Sequence, residues 1–246
     1  KEIEFRSENI FEGKQAKEYF ETNLATWCKA DKYVSLSLFE KEQQELFDEG
    51  ATFLTIDDGS ASLFFEEGIP EILSRIIKAK ANFACLDFKG ILKQIFPLGS
   101  LESLPFSKEE LRAAKYFDCS LAAYCIQSNS KSYELEALCI KYLDFSLPEE
   151  EDDFKKSACF HAQLTYMLKP KLEEALKKAE AEELYDKFDQ PLVAVLSAME
   201  RSGVAIDVDL LGRLSKETHA KLDKLEDEIH ELAGEDFNIA SPKQLG

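Results

Sequence analysis

The sequence predicts an α/β protein in which a mixed β-sheet is flanked by helices, and an all-α segment follows it. Three short strand-like runs come first, then a helix, a fourth strand and a short helix. Downstream of Pro97 the apolar residues recur at helical spacing. Strands, then a strand–helix unit, then helices are the order expected for one mixed sheet covered by helices.

The strand predictions rest on alternation and on one turn signal. Residues 33–39 (YVSLSLF) alternate apolar with small polar side chains, as a half-buried strand does. Two runs, ATFLTI from Ala51 and SASLFF from Ser60, flank the turn-forming Asp57-Asp58-Gly59 and predict a hairpin. A helix over 71–80, a strand from Ala81 and a short helix (GILKQIF) complete this half.

Helical spacing of apolar residues predicts helices over 117–127, 133–143 and 154–185. Pro191 then suits the first turn of a new apolar helix that ends at Gly203. We therefore predict two domains, residues 1–188 and residues 189–246.

A long amphipathic helix is predicted from Leu211 to Leu232, because apolar residues recur there at steps of three and four. Such a stripe must bury against another element, and the sequence offers no second helix to match it. This pattern predicts that the chain is one piece of a longer protein.

Charge limits the function classes. The net charge is −18; residues 1–188 carry 24 basic and 36 acidic side chains, and residues 189–246 carry 6 and 12. Lys and Arg supply most of the non-specific affinity for nucleic acid, because they neutralise phosphates. We expect weak or no DNA binding by this part of the protein alone.

The six cysteines predict neither disulfides nor a zinc site, because they are scattered without a C-x-x-C pair or a nearby His. No apolar run approaches the length of a membrane span, and the N-terminus has no apolar signal region. These features predict a cytoplasmic protein that does not enter a membrane.

The segment from Pro191 to Gly246 resembles the start of the polymerase domain of the family A DNA polymerases. The resemblance rests on Met199-Glu200-Arg201-Ser202-Gly203-Val204, on Ala233-Gly234-Glu235-Asp236-Phe237-Asn238 and on Ser241-Pro242-Lys243-Gln244-Leu245. It implies the base and first long helix of the polymerase thumb. In the whole polymerase it further implies a DNA primer-template as partner and Mg²⁺ as cofactor, with no cofactor for this part.

By the same resemblance Asn238, Ser241 and Lys243 are candidate nucleic-acid contacts. Amide, hydroxyl and ammonium groups donate readily to phosphate oxygens. The alternative is structural, since Asn238 and Ser241 also suit a turn that leads into the next helix.

Residues 1–188 resemble the proofreading domain of the same family, which implies a ribonuclease H-like fold. The best local match is Phe117-Asp118-Cys119-Ser120-Leu121-Ala122-Ala123-Tyr124, followed by Ser132-Tyr133-Glu134-Leu135. In active relatives a first strand with Asp-x-Glu, an Asp after the fourth strand, and a late Tyr-x-x-x-Asp supply the general base and the carboxylates for two metals.

Aligned with those motifs, the expected carboxylate positions hold Ser37, Phe39, Phe88 and His161, and the Tyr position holds Ser157. Hydrolysis by two-metal catalysis needs carboxylates converging on two cations. We therefore predict no catalytic and no metal-binding residues here, and a 3′–5′ exonuclease domain that has lost its activity.

Three other carboxylates, Glu40, Asp87 and Asp118, leave a rebuilt metal site open. Asp118 also suits a helix cap and Glu40 a solvent-facing position. His161 suits a packed residue, a metal ligand or an acid–base group. Three hypotheses follow: a vestigial domain that supports the polymerase domain, an active exonuclease with displaced ligands, and a module that binds a single strand or a protein.

Overall fold

The computed structural model describes residues 3, 5–6, 9–41, 51–96, 104–148, 153–235 and 237–241. Its strands are β1 (Ile10–Glu12), β2 (Val34–Lys41), β3 (Ala51–Asp57), β4 (Ser62–Phe65), β5 (Asn82–Cys85) and β6 (Lys115–Asp118). The described helices comprise α1 (Gly13–Trp27), α2 (Ile69–Ala79), α3 (Phe88–Ile95), α4 (Lys108–Arg112), α5 (Cys119–Ile126), α6 (Leu135–Leu143), α7 (Phe154–Lys178), α8 (Glu182–Leu184), α9 (Gln190–Ser202) and α10 (Val208–Ala233), with a π-helical turn over Tyr185–Asp189. None of the described helices is long and apolar enough to cross a bilayer.

The strands form one mixed sheet in the order β1-β4-β3-β2-β5-β6. β2, β3 and β4 are antiparallel neighbours, and β5 and β6 run parallel to β2. β1 pairs in parallel with β4 at the far edge. The predicted mixed sheet with flanking helices is confirmed.

Helices cover both faces of the sheet. One core contains Val34 and Leu36 of β2 together with residues of α1, α2 and α3. The other core lies under α5, α6 and α7, and a small aromatic cluster joins β3 and β4 to α7. Because alternate residues of a strand point to opposite faces, β2 contributes to both layers.

The boundaries differ from the sequence predictions at two short strands. Phe117 and Asp118, predicted as the start of a helix, end β6 instead, and α5 begins at Cys119. The three-residue β1 and helix α1 were not predicted. These strands exist because a neighbouring strand completes their hydrogen bonds, which local sequence does not reveal.

The chain divides into two compact units, Lys1–Ser202 and Gly203–Gly246. The first unit therefore includes α9, whereas the second consists mainly of α10. The domain limits of 1–188 and 189–246 concern likeness to the polymerase family and stay a prediction.

Candidate active site and its relatives

The first aligned motif lies on β2, on the face that α7 covers. Ser35 shows the direction of this face, because its hydroxyl donates to the Ala162 carbonyl of α7 at 2.6 Å. Ser37 and Phe39 follow at intervals of two residues and share that face. The alternation predicted from YVSLSLF therefore places both aligned positions against α7.

Phe39 meets His161 of α7 edge to face, with ring centroids 5.3 Å apart and an interplanar angle of 64°. Burial lowers the pKa of His161 below its usual value, since a charged imidazolium would lose its hydration. A neutral imidazole in an aromatic contact therefore stands where the family carries a metal-binding carboxylate.

Ser37 and Ser157 lie close to this ring pair. The Thr55 hydroxyl of β3 lies within hydrogen-bond distance of two carbonyl oxygens, that of Ser37 at 3.2 Å and that of Ala158 at 3.1 Å. Ser157 directly precedes Ala158 and lies one helical turn before His161. The structure thus gathers four of the five aligned positions where β2 meets α7.

The fifth aligned position, Phe88, lies apart from the others. Its side chain is fully buried in the core on the opposite face of the sheet, with its ring centroid 5.2 Å from that of Phe83 and 4.3 Å from that of Tyr116. The preceding residue, Asp87, is exposed and caps α3 by accepting a hydrogen bond from the Gly90 amide at 3.0 Å. Phe88 is therefore a core residue that begins α3.

Asp118 is a buried carboxylate that joins two helix starts. It accepts hydrogen bonds from the Phe88 amide at 2.8 Å and from the Leu121 amide at 2.9 Å, so it caps α5 and also holds the first turn of α3. Burial raises its pKa to about 7, although these bonds favour the charged form. The capping role proposed from sequence is confirmed.

The aligned residues do not fit a pair of magnesium ions. Mg²⁺ prefers oxygen ligands in an octahedral arrangement and is held through carboxylates. Ser37 offers a hydroxyl, Phe39 a hydrocarbon ring and His161 a buried imidazole. Within the described ranges no three His, Cys, Asp or Glu side chains are grouped so that they could hold a metal ion.

Some sequence candidates have a local structural role or lie outside the description. The Asn238 side-chain oxygen accepts from the Ala240 amide at 3.0 Å, and the Ser241 amide donates to the Asn238 carbonyl at 3.0 Å. These two residues form a turn, and their contact with DNA stays a prediction. Lys243 and the side chain of Glu40 lie outside the described residues.

A buried polar network surrounds Asp57, the last residue of β3, and no pattern in the sequence indicates it. The fully buried Asp57 accepts hydrogen bonds from Arg6 at 2.7 Å, the Gly59 amide at 3.0 Å and the Ser62 hydroxyl at 2.7 Å. Gln163 of α7 then donates to Ser62 at 3.0 Å. The network ties the N-terminal segment and α7 to the hairpin, and Asp57 looked only like a turn residue.

Replacing His161 by Phe is expected to remove a contribution that destabilises the folded chain as pH falls below neutral. The folded chain holds His161 neutral, whereas the unfolded chain takes up a proton as pH falls below about 6.5. Between pH 7 and pH 5 the stability of the wild type relative to H161F should therefore decrease. Urea unfolding of both proteins at both pH values measures this, and an equal change in the two proteins would contradict it.

Comparison with known proteins places this geometry in a family. No protein-family model matches the chain. DNA polymerase I of Caldicellulosiruptor bescii is 30% identical over 208 residues, which are 83% of this chain and 23% of that protein. DNA polymerase I of Bacillus subtilis is 38% identical over 152 residues, covering 56% of this chain and 17% of that protein.

The chain belongs to the DNA polymerase I family. A third relative, DNA polymerase I of Deinococcus radiodurans, is 41% identical over 105 residues, which are 43% of the chain and 10% of that protein. The chain thus spans less than a quarter of the length of these relatives.

Solved structures of this family and of nucleases share the fold. The polymerase domain of Pol1 from M. smegmatis, solved with a DNA primer-template and dNTP, superposes with a TM-score of 0.66 at 18% identity, covering 91% of this chain and 38% of that one. A nuclease solved in its apo form has a TM-score of 0.52 at 11% identity, with 80% and 96% covered. The predicted ribonuclease H-like class is confirmed.

Proposed function

We propose that residues 1–188 are a vestigial 3′–5′ exonuclease domain that no longer hydrolyses DNA and acts as structural support for a polymerase domain starting near residue 189. The observation that carries the first part is the contact between Phe39 and His161. Two of the positions that should hold metal-binding carboxylates are joined in a packed ring pair, and the family membership supplies the identity of the lost activity.

The chemistry supports loss of hydrolysis. Two-metal cleavage of a phosphodiester needs carboxylates that clamp two cations about 4 Å apart, so that one cation activates the attacking oxygen and the other stabilises the leaving oxygen. Of the three other candidate carboxylates, two are already engaged in the described structure. Asp118 accepts two backbone amides, and Asp87 caps α3.

The support role rests on how α9, the first helix of the polymerase-like segment, is built into the first unit. Val193 and Ala194 are buried in its core. Tyr116 of β6 donates to the Gln190 carbonyl at 2.7 Å, and the Gln190 side chain donates to the Tyr116 carbonyl at 2.6 Å. This reciprocal pair fixes the start of α9 on the edge strand.

Polar contacts also hold the far end of α9. The buried guanidinium of Arg201 donates to the Phe96 carbonyl that follows α3. Lys89 of α3 forms an ion pair with Glu200 at 2.5 Å. Arg201 and Glu200 belong to the segment that resembles the polymerase family, so α9 is held by the sheet-containing unit at both of its ends.

For the whole protein we propose template-directed DNA synthesis in replication and repair, with a DNA primer-template as partner, Mg²⁺ as cofactor and a cytoplasmic location. The support is the identity of the relatives, each a DNA polymerase I. Asn238, Ser241 and Lys243 are the proposed phosphate contacts of the thumb-like segment.

The test is exonuclease activity of the purified chain on a 5′-labelled single strand, with Mg²⁺ and then with Mn²⁺. We expect no shortening of the strand with either metal, and no heat of Mn²⁺ binding in a calorimetric titration. A homologous proofreading polymerase serves as the positive control. Cleavage that EDTA stops and that Asp87→Ala abolishes would instead establish an active exonuclease with displaced ligands.

A further inference from the structure

One end of the sheet collects lysines from three separate parts of the chain. Helices α1, α2 and α4 each end at this end of the sheet, and the chain then enters the parallel strands β2, β5 and β6. The three helix-to-strand junctions carry six cations, here called the junction patch: Lys29, Lys32, Lys78, Lys80, Arg112 and Lys115. Adjacent strands lie about 4.8 Å apart, which brings the junctions together.

Hydrogen bonds fix two of the junctions against each other. The Asn82 side chain donates to the carbonyl oxygens of Lys29 at 2.6 Å and Lys32 at 3.0 Å, and Asn82 pairs with Lys115 across β5 and β6. The Cys28 thiol donates to the Ala79 carbonyl at 3.2 Å, which joins the end of α1 to the end of α2. The backbone of the patch is therefore a fixed arrangement from which the cationic side chains extend.

The patch is unusual because this chain is strongly acidic. All six cations are exposed, and none forms an ion pair with a carboxylate in the described part of the chain. Asp31 lies within the first junction, and Glu109 lies one helical turn before Arg112. At the neighbouring hairpin Asp57 is paired with Arg6, and Asp58 accepts from Tyr19 at 2.9 Å.

Lysines in the last turn of a helix also stabilise the helix dipole, which accounts for Lys78 and Arg112 without any ligand. It does not account for Lys29 and Lys32 in a loop or for Lys115 on a strand. Lys80 adopts φ +55°, a left-handed conformation that favours glycine, so the backbone alone would be served better by Gly.

We propose that the junction patch binds the phosphate backbone of DNA, at the end of the sheet opposite the ring pair of Phe39 and His161. The choice of ligand follows from composition. Exposed lysines neutralise phosphates, whereas protein interfaces and membrane anchors use exposed aromatic or large apolar residues. Among the described residues of the three junctions no large hydrophobic side chain is exposed. This inference requires the family membership but not the loss of exonuclease activity.

The test is the affinity of the whole 246-residue chain for a fluorescent duplex of about 24 base pairs, measured by anisotropy between about 20 and 150 mM salt. The patch variant is K29E/K32E/K80E/K115E. The control, K17E/K93E/K131E/K171E, makes the same charge change at exposed lysines outside the patch. We expect the patch variant to bind at least about tenfold more weakly, with the slope of log K against log salt reduced by about three, and the control to change less than about threefold.

A second pair of variants separates charge from folding. Lys80 and Glu180 end their helices in the same turn, with φ +55° and +54° and with the next amide bonded to the carbonyl five residues back. Both K80G and E180G should raise the melting temperature by about 2 °C because strain is removed. Only K80G should weaken DNA binding.

Several outcomes would overturn the proposal. These are equal losses in the patch variant and its control, no duplex binding by the wild type at the lowest salt concentration, and patch-dependent binding to phosphatidylserine vesicles without duplex binding. Loss of all binding in N238A/S241A/K243A with an unchanged patch variant would also overturn it. None of these results bears on whether the chain cleaves DNA.

Discussion

Replacing Val193 by Asp is expected to lower the free energy of unfolding of the first unit by about 3–5 kcal/mol. Val193 lies on the inner face of α9 and is 7% exposed within the core. An aspartate there would bury an unpaired carboxylate and also lose the packing of the valine side chain. Urea unfolding at pH 7 measures the change.

The control for this prediction lies two residues further along the same helix. Val195 is 38% exposed, so V195D makes the same chemical change where water can hydrate the carboxylate. It should cost less than about 1 kcal/mol. If V193D is no more damaging than V195D, α9 is not part of the first unit's core, and the proposed support role loses its basis.

Asp118 is expected to make the chain less stable as pH rises from about 4 to 7. Its pKa is about 7 in the folded chain and near 3.8 when unfolded, so the folded chain keeps a proton that the unfolded chain releases. The stability this gives is fully present below the unfolded pKa and is lost as pH rises through the folded one. Each pKa unit is about 1.4 kcal/mol, so the change is on the order of 2–4 kcal/mol.

The measurement compares wild type with D118N from pH 4 to pH 8. The side-chain amide that this substitution introduces does not titrate. The unfolding free energy of the wild type relative to D118N should therefore decrease as pH rises across this range. A difference between wild type and D118N that is constant with pH would contradict the raised pKa.

Local patterns in the sequence were sufficient for the elements that carry strong periodicity or a turn signal. The hairpin around Asp57-Asp58-Gly59 and helices α2, α9 and α10 occur close to their predicted positions. These patterns succeed because a helix or hairpin must turn one apolar face inward, and that face repeats along the chain. The C-terminal segment alone was enough to indicate the polymerase family.

The sequence also showed which residues occupy the aligned exonuclease motifs, but it did not show how these residues are arranged in space. The alignment put Ser37, Phe39, Phe88 and His161 at the positions of the family's metal-binding carboxylates. In the structure Phe39 contacts His161, whereas Phe88 lies in the core on the other face of the sheet. Phe88 is the first residue of α3, and the face of the sheet that α3 covers depends on the path of the chain after β5, which an alignment of sequence positions does not contain.

The sequence by itself determined the α/β class, the strongly acidic composition and the membership in a polymerase family. Only the tertiary structure decided the short strands β1 and β6, the burial of Asp57 and Asp118, and the junction patch. The reason is the same in each case. A strand of three or four residues, a buried carboxylate and a cluster of cations depend on partners that lie far away in the chain and become neighbours when the sheet forms.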